Sequence, residues 1–220
     1  MSTEFASENH DRRRQRFELK LRNFLADHSF TSGPTLVFQC APVSNAEIDV
    51  ESLQVRQALA AGTGLASSQS WDGFKSSVKC KKVFDGLMAG PFTQKPGWAT
   101  EVHEDGHVIA ALRADEPGDT PRIYIFLADA FNDFGWLVNS IYAAAEFTDN
   151  VDLTATLVNG KGVQLINNKT FGQARGRLVT RETFDWPILP AAGENEVLTM
   201  CQRMASRFER LFDSEAPLPR

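Results

Sequence analysis

The residue types best suited to chemistry gather in one short stretch, "EVHEDGHVIAALR", residues 101–113. His103 and His107 stand four positions apart, with Glu104 and Asp105 between them and Glu101 just before. Imidazoles and carboxylates are ligands for zinc and similar ions. Asp105-Gly106 is also turn chemistry, because glycine accepts the positive φ of a tight turn. Folded as a hairpin, the segment places both histidines on or near facing strands, where they can converge on one ion with Glu101 or Asp105 as third ligand. The helical zinc motif with its own glutamate is absent. The first expectation is therefore a hairpin whose histidines are surface residues, and the alternative is a metal-dependent enzyme using His103, His107 and Asp105.

Nucleophilic catalysis has less to work with. No Gly-x-Ser-x-Gly elbow occurs, and Cys40 and Cys201 sit in apolar surroundings that read as core. Cys80, among Lys79, Lys81 and Lys82, is the one thiol whose neighbours could lower its pKa. Three cysteines at wide spacings suggest neither a disulfide framework nor a paired-cysteine zinc site, so reduced thiols in a cytosol are expected. Trp98, Trp136 and Trp186 could wall a pocket, though such residues are more often core.

The other chemistry-bearing feature is basic. Arg12, Arg13, Arg14 and Arg16 border a helical face made by Phe17, Leu21, Phe24 and Leu25. A solvated helix surface is the default, and contact with phosphates or an acidic partner is the alternative. The net charge of -5 and the lack of aromatic residues between the arginines restrict any nucleic-acid association to a weak one that fades with salt.

The elements that must position these groups follow from periodicity. Helical spacing marks residues 12–28, 50–61, 134–147 (with Asn132 or Asp133 as cap) and the last segment, where Val197, Leu198, Cys201, Met204, Phe208, Leu211 and Phe212 share one face. Leu36 to Cys40 reads as a buried strand ended by Pro42, and a β-rich run covers Arg122 to Leu127. Hairpins are expected about Asp85-Gly86, about Asp105-Gly106 and, most strongly, about Asn159-Gly160 in "VDLTATLVNGKGVQLI", with a further strand in "GRLVTRETF". Residues 61–73, rich in Gly and Ser, read as a loop.

The result is an α+β fold: a mainly antiparallel or mixed sheet with helices at both termini and one central helix. Leu36, Phe38, Ile123, Ile125, Leu157, Val163 and Leu165 are its expected inward-facing positions. One domain spans 12–214, between flexible tails at 1–11 and 215–220. No run approaches the ~20 apolar residues that cross a bilayer, and the polar N-terminus lacks a secretory core, so a cytoplasmic protein with no membrane partner is expected.

In order, "RRRQRFELKLRNFLA", "GPTLVFQCAPVS", "KVFDGLMA", "PRIYIFLADAFNDFGW", "VDLTATLVNGKGVQLI" and "GRLVTRETFDWPILP" resemble the region downstream of the AlbA-type DNA-binding module in bacterial Schlafen/AlbA-like proteins. The AlbA-type module itself is not present before Arg12. The resemblance implies a non-catalytic accessory, sensory or partner-binding domain of a bacterial intracellular protein, regulatory or defence-type. It would need no cofactor and would take a protein partner or a small molecule, with self-association as a further expectation. It carries over no catalytic residue.

Overall fold

The computed structural model describes residues 2–30, 32–61, 80–90, 97–113, 122–124, 129–167, 173–175 and 178–212. Helix α1 (Ser2–Asp27) leads into strand β1 (Thr35–Pro42), followed by α2 (Leu53–Ala61) and two hairpins. The hairpins are β2 (Cys80–Val83) with β3 (Gly86–Ala89), and β4 (Trp98–His103) with β5 (Val108–Arg113). After β6 (Arg122–Tyr124) come α3 (Asp129–Ala144), β7 (Val151–Val158), β8 (Gln164–Asn167) and β9 (Gln173–Arg175). The chain ends in β10 (Phe184–Asp185), β11 (Leu189–Ala191) and α4 (Glu194–Leu211).

The main sheet is antiparallel, ordered β10-β7-β1-β5-β4-β3-β2, and β11 pairs with β7 beside β10. A smaller sheet joins β6, β8 and β9. The architecture is the expected α+β one, with helices at both ends of the chain. Strand β1 lies inside the main sheet, paired on one side with β7 and on the other with β5, and all eight of its residues are buried, polar Thr35 and Gln39 included. Alternation splits it between two faces. Leu36, Phe38 and Cys40 join the core under α2, α3 and α4, while Val37 joins Phe24 and Phe30 at the end of α1.

Helices α1 and α3 end alike, and the first ending matters for the site. In α1, Phe30 N donates to Leu25 O and Ser29 takes a left-handed φ of 57°; in α3, Phe147 N donates to Tyr142 O and Glu146 has φ 55°. This backbone closure satisfies carbonyls that a helix end otherwise leaves bare. It is accompanied by ring contacts, Phe24 on Phe30 and Tyr142 on Phe147. It also holds His28 at the last turn of α1.

Several expectations are corrected. The Asn159-Gly160 hairpin does not form, because both edges of β7 are already paired, one with β1 and the other with β10 and β11, and β8 goes instead to the small sheet. Among the described residues of "GRLVTRETF", 178–184, only Phe184 lies in a strand. Val179 and Glu182 spend their backbone groups on the turn that follows β7: Val179 O accepts from Gly162 N, Glu182 O accepts from Gly160 N, and Val179 N donates to Val163 O. Helix α3 starts at Asp129, so Asn132 and Asp133 lie inside it and Asp133 is buried. Helix α1 reaches back to Ser2, beyond the apolar stripe, so residues 2–11, read as a tail, are helical. The β2–β3 turn is Phe84-Asp85, since Gly86 already pairs with Val83; a Cβ at Gly86 would meet the Val102 carbonyl oxygen.

Leu36, Phe38, Leu157 and Val163 are fully buried, and α4 buries Val197, Cys201, Met204, Phe208 and Leu211 as its spacing predicts, with Phe212 buried just past its end and Leu198 only half-buried. Ile125 lies outside the described residues, as do the side chains of Ile123 and Leu165, residues 62–79 with most of the predicted loop, and the C-terminal residues 215–220. Among the described residues no helix is long and apolar enough to cross a membrane.

Candidate functional site

The β4–β5 hairpin forms around Glu104, Asp105 and Gly106. His103 N donates to His107 O at 2.9 Å, Gly106 N donates to His103 O at 2.9 Å, and Gly106 sits at φ +76°, which its missing Cβ permits. Asp105 Oδ1 accepts from His107 N at 3.0 Å. The turn is not free in solvent, since α1 lies across it. Both histidines are consequently buried, His103 at 5% exposure and His107 at 0%, which corrects the expectation of surface residues.

What buries them is a chain of alternating charge between α1 and the two hairpins. His28 Nε2 is 2.6 Å from Glu101 Oε1, and Glu101 Oε2 is 3.1 Å from His103 Nε2, as an ion pair without hydrogen-bond alignment. His103 Nδ1 is 2.6 Å from Asp85 Oδ1, and Lys20 Nζ donates to Asp85 Oδ2 at 2.6 Å. Lys20 then faces Asp105 Oδ2 at 3.8 Å, and Arg16 meets the same oxygen at 3.1 Å. Arg16 also donates to the carbonyls of Pro42 and Asp105. Residues distant in sequence are therefore linked through α1.

The protonation pattern follows. Burial alone would push the His103 pKa down, but the carboxylates of Glu101 and Asp85 outweigh it and the net shift is upward. Acting against burial, His103 and His28 hold Glu101, and Lys20 and His103 hold Asp85, below their ordinary values. Asp105 is also lowered: burial opposes this, but the His107 N–H and the charges of Lys20 and Arg16 prevail. His107 goes the other way. Its burial pushes the pKa well down, so the ring is neutral, and its Nε2 faces Gln39 Oε1 at 3.1 Å. A neutral ring donating to that carbonyl oxygen carries its proton on Nε2. Nδ1 then has no hydrogen-bond partner.

The two histidine rings lie 6.2 Å apart, edge to face. His103, His107 and Asp105 are thus brought to one place, but the His103 nitrogens face carboxylates and Asp105 faces Arg16 and Lys20. Among the described residues no group of three or more His, Cys, Asp or Glu side chains is arranged to hold a metal ion.

The arginines divide. Arg13 pairs with buried Asp152 at 3.2 Å, Arg16 with Asp105, and Arg14 with Glu18 one turn along α1 at 2.8 Å. Arg12 is exposed. Three of the four therefore face carboxylates of this same chain. Burial pushes the Cys40 thiol up to about 12, and raises Cys201 and, less completely, Cys80, whose sulfur donates to Arg56 O. The tryptophans do not share a pocket, because Trp186 is core, Trp98 is half-buried and Trp136 is exposed on α3.

Beside the charged chain a cleft of about 390 Å³ opens between α1 and the β1–β7–β10 part of the sheet. Arg14, Phe17, Glu18 and Leu21, one stripe of α1, form one wall, and Asp185 to Ile188 form the other. Its floor is polar: Gln39, Thr154 and Thr156, all buried. Thr154 Oγ1 donates to Trp186 O and Thr156 Oγ1 to Asp185 Oδ1. Phe17 and Gln39 connect cleft and charged chain, since both touch His107. Sequence reasoning missed His28, Gln39 and the two threonines, although a glutamine inside "TLVFQCAP" was a visible anomaly.

No protein-family model matches the chain, and no curated protein matches it.

Proposed function

We propose that this chain is a non-catalytic binding domain that takes its ligand in the cleft between α1 and the sheet. The observation that carries the reading is the floor of that cleft. Where α1 could have been sealed down with apolar side chains, the sheet offers Gln39, Thr154 and Thr156 instead, each oriented by one hydrogen bond within the chain and each with donor or acceptor capacity left over. Concave sites with apolar walls and a few fixed polar groups are the usual form of small-ligand sites. The catalytic alternative has less support: His28 and His103 lie in the charged chain and neutral His107 lies behind Gln39, none of them in the cleft lining, and all three thiols are raised in pKa. The expected role as an accessory or sensory domain of a larger bacterial system, drawn from the Schlafen/AlbA-like resemblance, belongs to this proposal. Nucleic-acid binding through α1 is disfavoured by the ion pairs of Arg13, Arg14 and Arg16.

The test is a screen of the purified chain against hydrolase, nuclease and nucleotide substrates. The proposal expects no turnover. Reproducible turnover abolished by His103→Gln, His107→Gln or Asp185→Asn, with the fold intact, would overturn it.

A further inference from the structure

The floor of the cleft has a chemical pattern more specific than polarity. Gln39 on β1 and Thr154 on β7 are direct cross-strand partners and lie on the same face of the sheet. Side chains in that relation stand roughly 4.5 to 5.5 Å apart at Cβ. Gln39 Oε1 is taken by His107 Nε2, which orients the amide and leaves its NH2 group as the free donor. Thr154 has already given its only proton to Trp186 O, so its oxygen can only accept. Thr156, two residues along the same strand, is in the same condition because it donates to Asp185. A donor is thereby set beside acceptors whose direction is fixed by the protein, not by solvent.

The walls add an apolar requirement. Phe17 and Leu21 face Trp186, Pro187 and Ile188 across the gap. At the mouth one cation, Arg14, stands against two carboxylates, Glu18 and Asp185, so an anion is not favoured there.

We infer that the cleft takes a neutral planar ligand whose apolar ring carries a carboxamide or lactam edge, its carbonyl accepting from Gln39 and its N–H donating to Thr154 or Thr156. The inference rests on the cleft being the binding site proposed above. It adds the chemistry that site selects: a carbonyl beside an N–H matches the Gln39–Thr154 pair, whereas a carboxylate has no donor and an ester has no N–H.

The experiment uses the full chain and three probes of nearly equal size: benzamide, methyl benzoate and benzoate. Binding is followed by NMR at the methyl groups of Leu21 and Ile188. Benzamide is expected to shift these methyls and to bind about three to ten times more tightly than methyl benzoate, the effect of one net hydrogen bond. Thr154→Val, with its fold checked by thermal melting, should reduce that preference. Equal binding of benzamide and the ester, or a preference for benzoate, overturns the amide inference while leaving the cleft as a binding site. Failure of every probe to move the cleft methyls overturns both.

Discussion

The two faces of the main sheet are held in opposite ways. Under α2, α3 and α4 lies one continuous apolar core, in which Phe38, Phe131, Phe134 and Phe208 are completely buried and packed ring on ring. Under α1 the apolar contact is a small cluster around Phe24 and Phe30, and the rest of the face is histidine, carboxylate, amide and hydroxyl. Burial is non-directional and tolerates sliding, whereas paired charges fix one geometry. Helices α2–α4 stabilise the sheet, while α1 is fastened at chosen points, leaving room beside it for the cleft.

The largest expected effect comes from breaking the apolar face. Phe208→Asp removes a side chain whose burial contributes about 1.5–3 kcal/mol and leaves a carboxylate without water, so the loss should exceed about 4 kcal/mol and unfold the domain in urea titrations. Glu101→Gln breaks the other face. It removes the carboxylate between His28 and His103, and loss of one partner of a buried pair costs about 3 kcal/mol, read by the same titration. Cooperative unfolding should survive that change.

A smaller effect appears as pH dependence, and the two hairpin histidines should act in opposite directions. His103 has a raised pKa in the fold, so its contribution is complete below about 6.5, its unfolded value, and is lost as pH rises through the folded value. His107 has a depressed pKa, so its contribution is complete above about 6.5 and declines as pH falls below it. Asp85, Glu101 and Asp105, all lowered, stabilise above the ordinary carboxylate range and less as pH falls through their folded values. Urea midpoints from pH 5 to 9 should show His103→Gln flattening the alkaline decline and His107→Gln flattening the acid one. Identical profiles for both variants would remove the assigned protonation states.

The smallest effects separate the arginines. Arg12→Glu should leave the melting temperature unchanged, while Arg16→Glu sets a carboxylate against Asp105 and two carbonyls and should lower it clearly. Reversing all four arginines at once therefore tests the seating of α1 as much as any nucleic-acid contact.

The core face was legible in the sequence because it repeats: the spacing of Val197 to Phe212 and the apolar positions of "VDLTATLV" state which sides are buried. The α1 face was legible only in parts. The residues 103, 105 and 107 and the turn at Asp85 were recognisable, but nothing local joins Lys20 to Asp85 or His28 to Glu101, because those pairs are created by the path of α1 across the sheet. The Asn159-Gly160 turn misled for a related reason. Hairpin chemistry is local, while pairing depends on which edges of β7 remain free.

Amide hydrogen exchange compared between the wild-type chain and Glu101→Gln tests the contrast between the faces most directly. If α1 is fastened by paired charge and α3 and α4 by apolar burial, α1 and the β4–β5 hairpin lose protection in the variant while α3 and α4 keep theirs. Equal loss across all three helices would contradict the account, since the two faces would then be one cooperative unit held by the same forces.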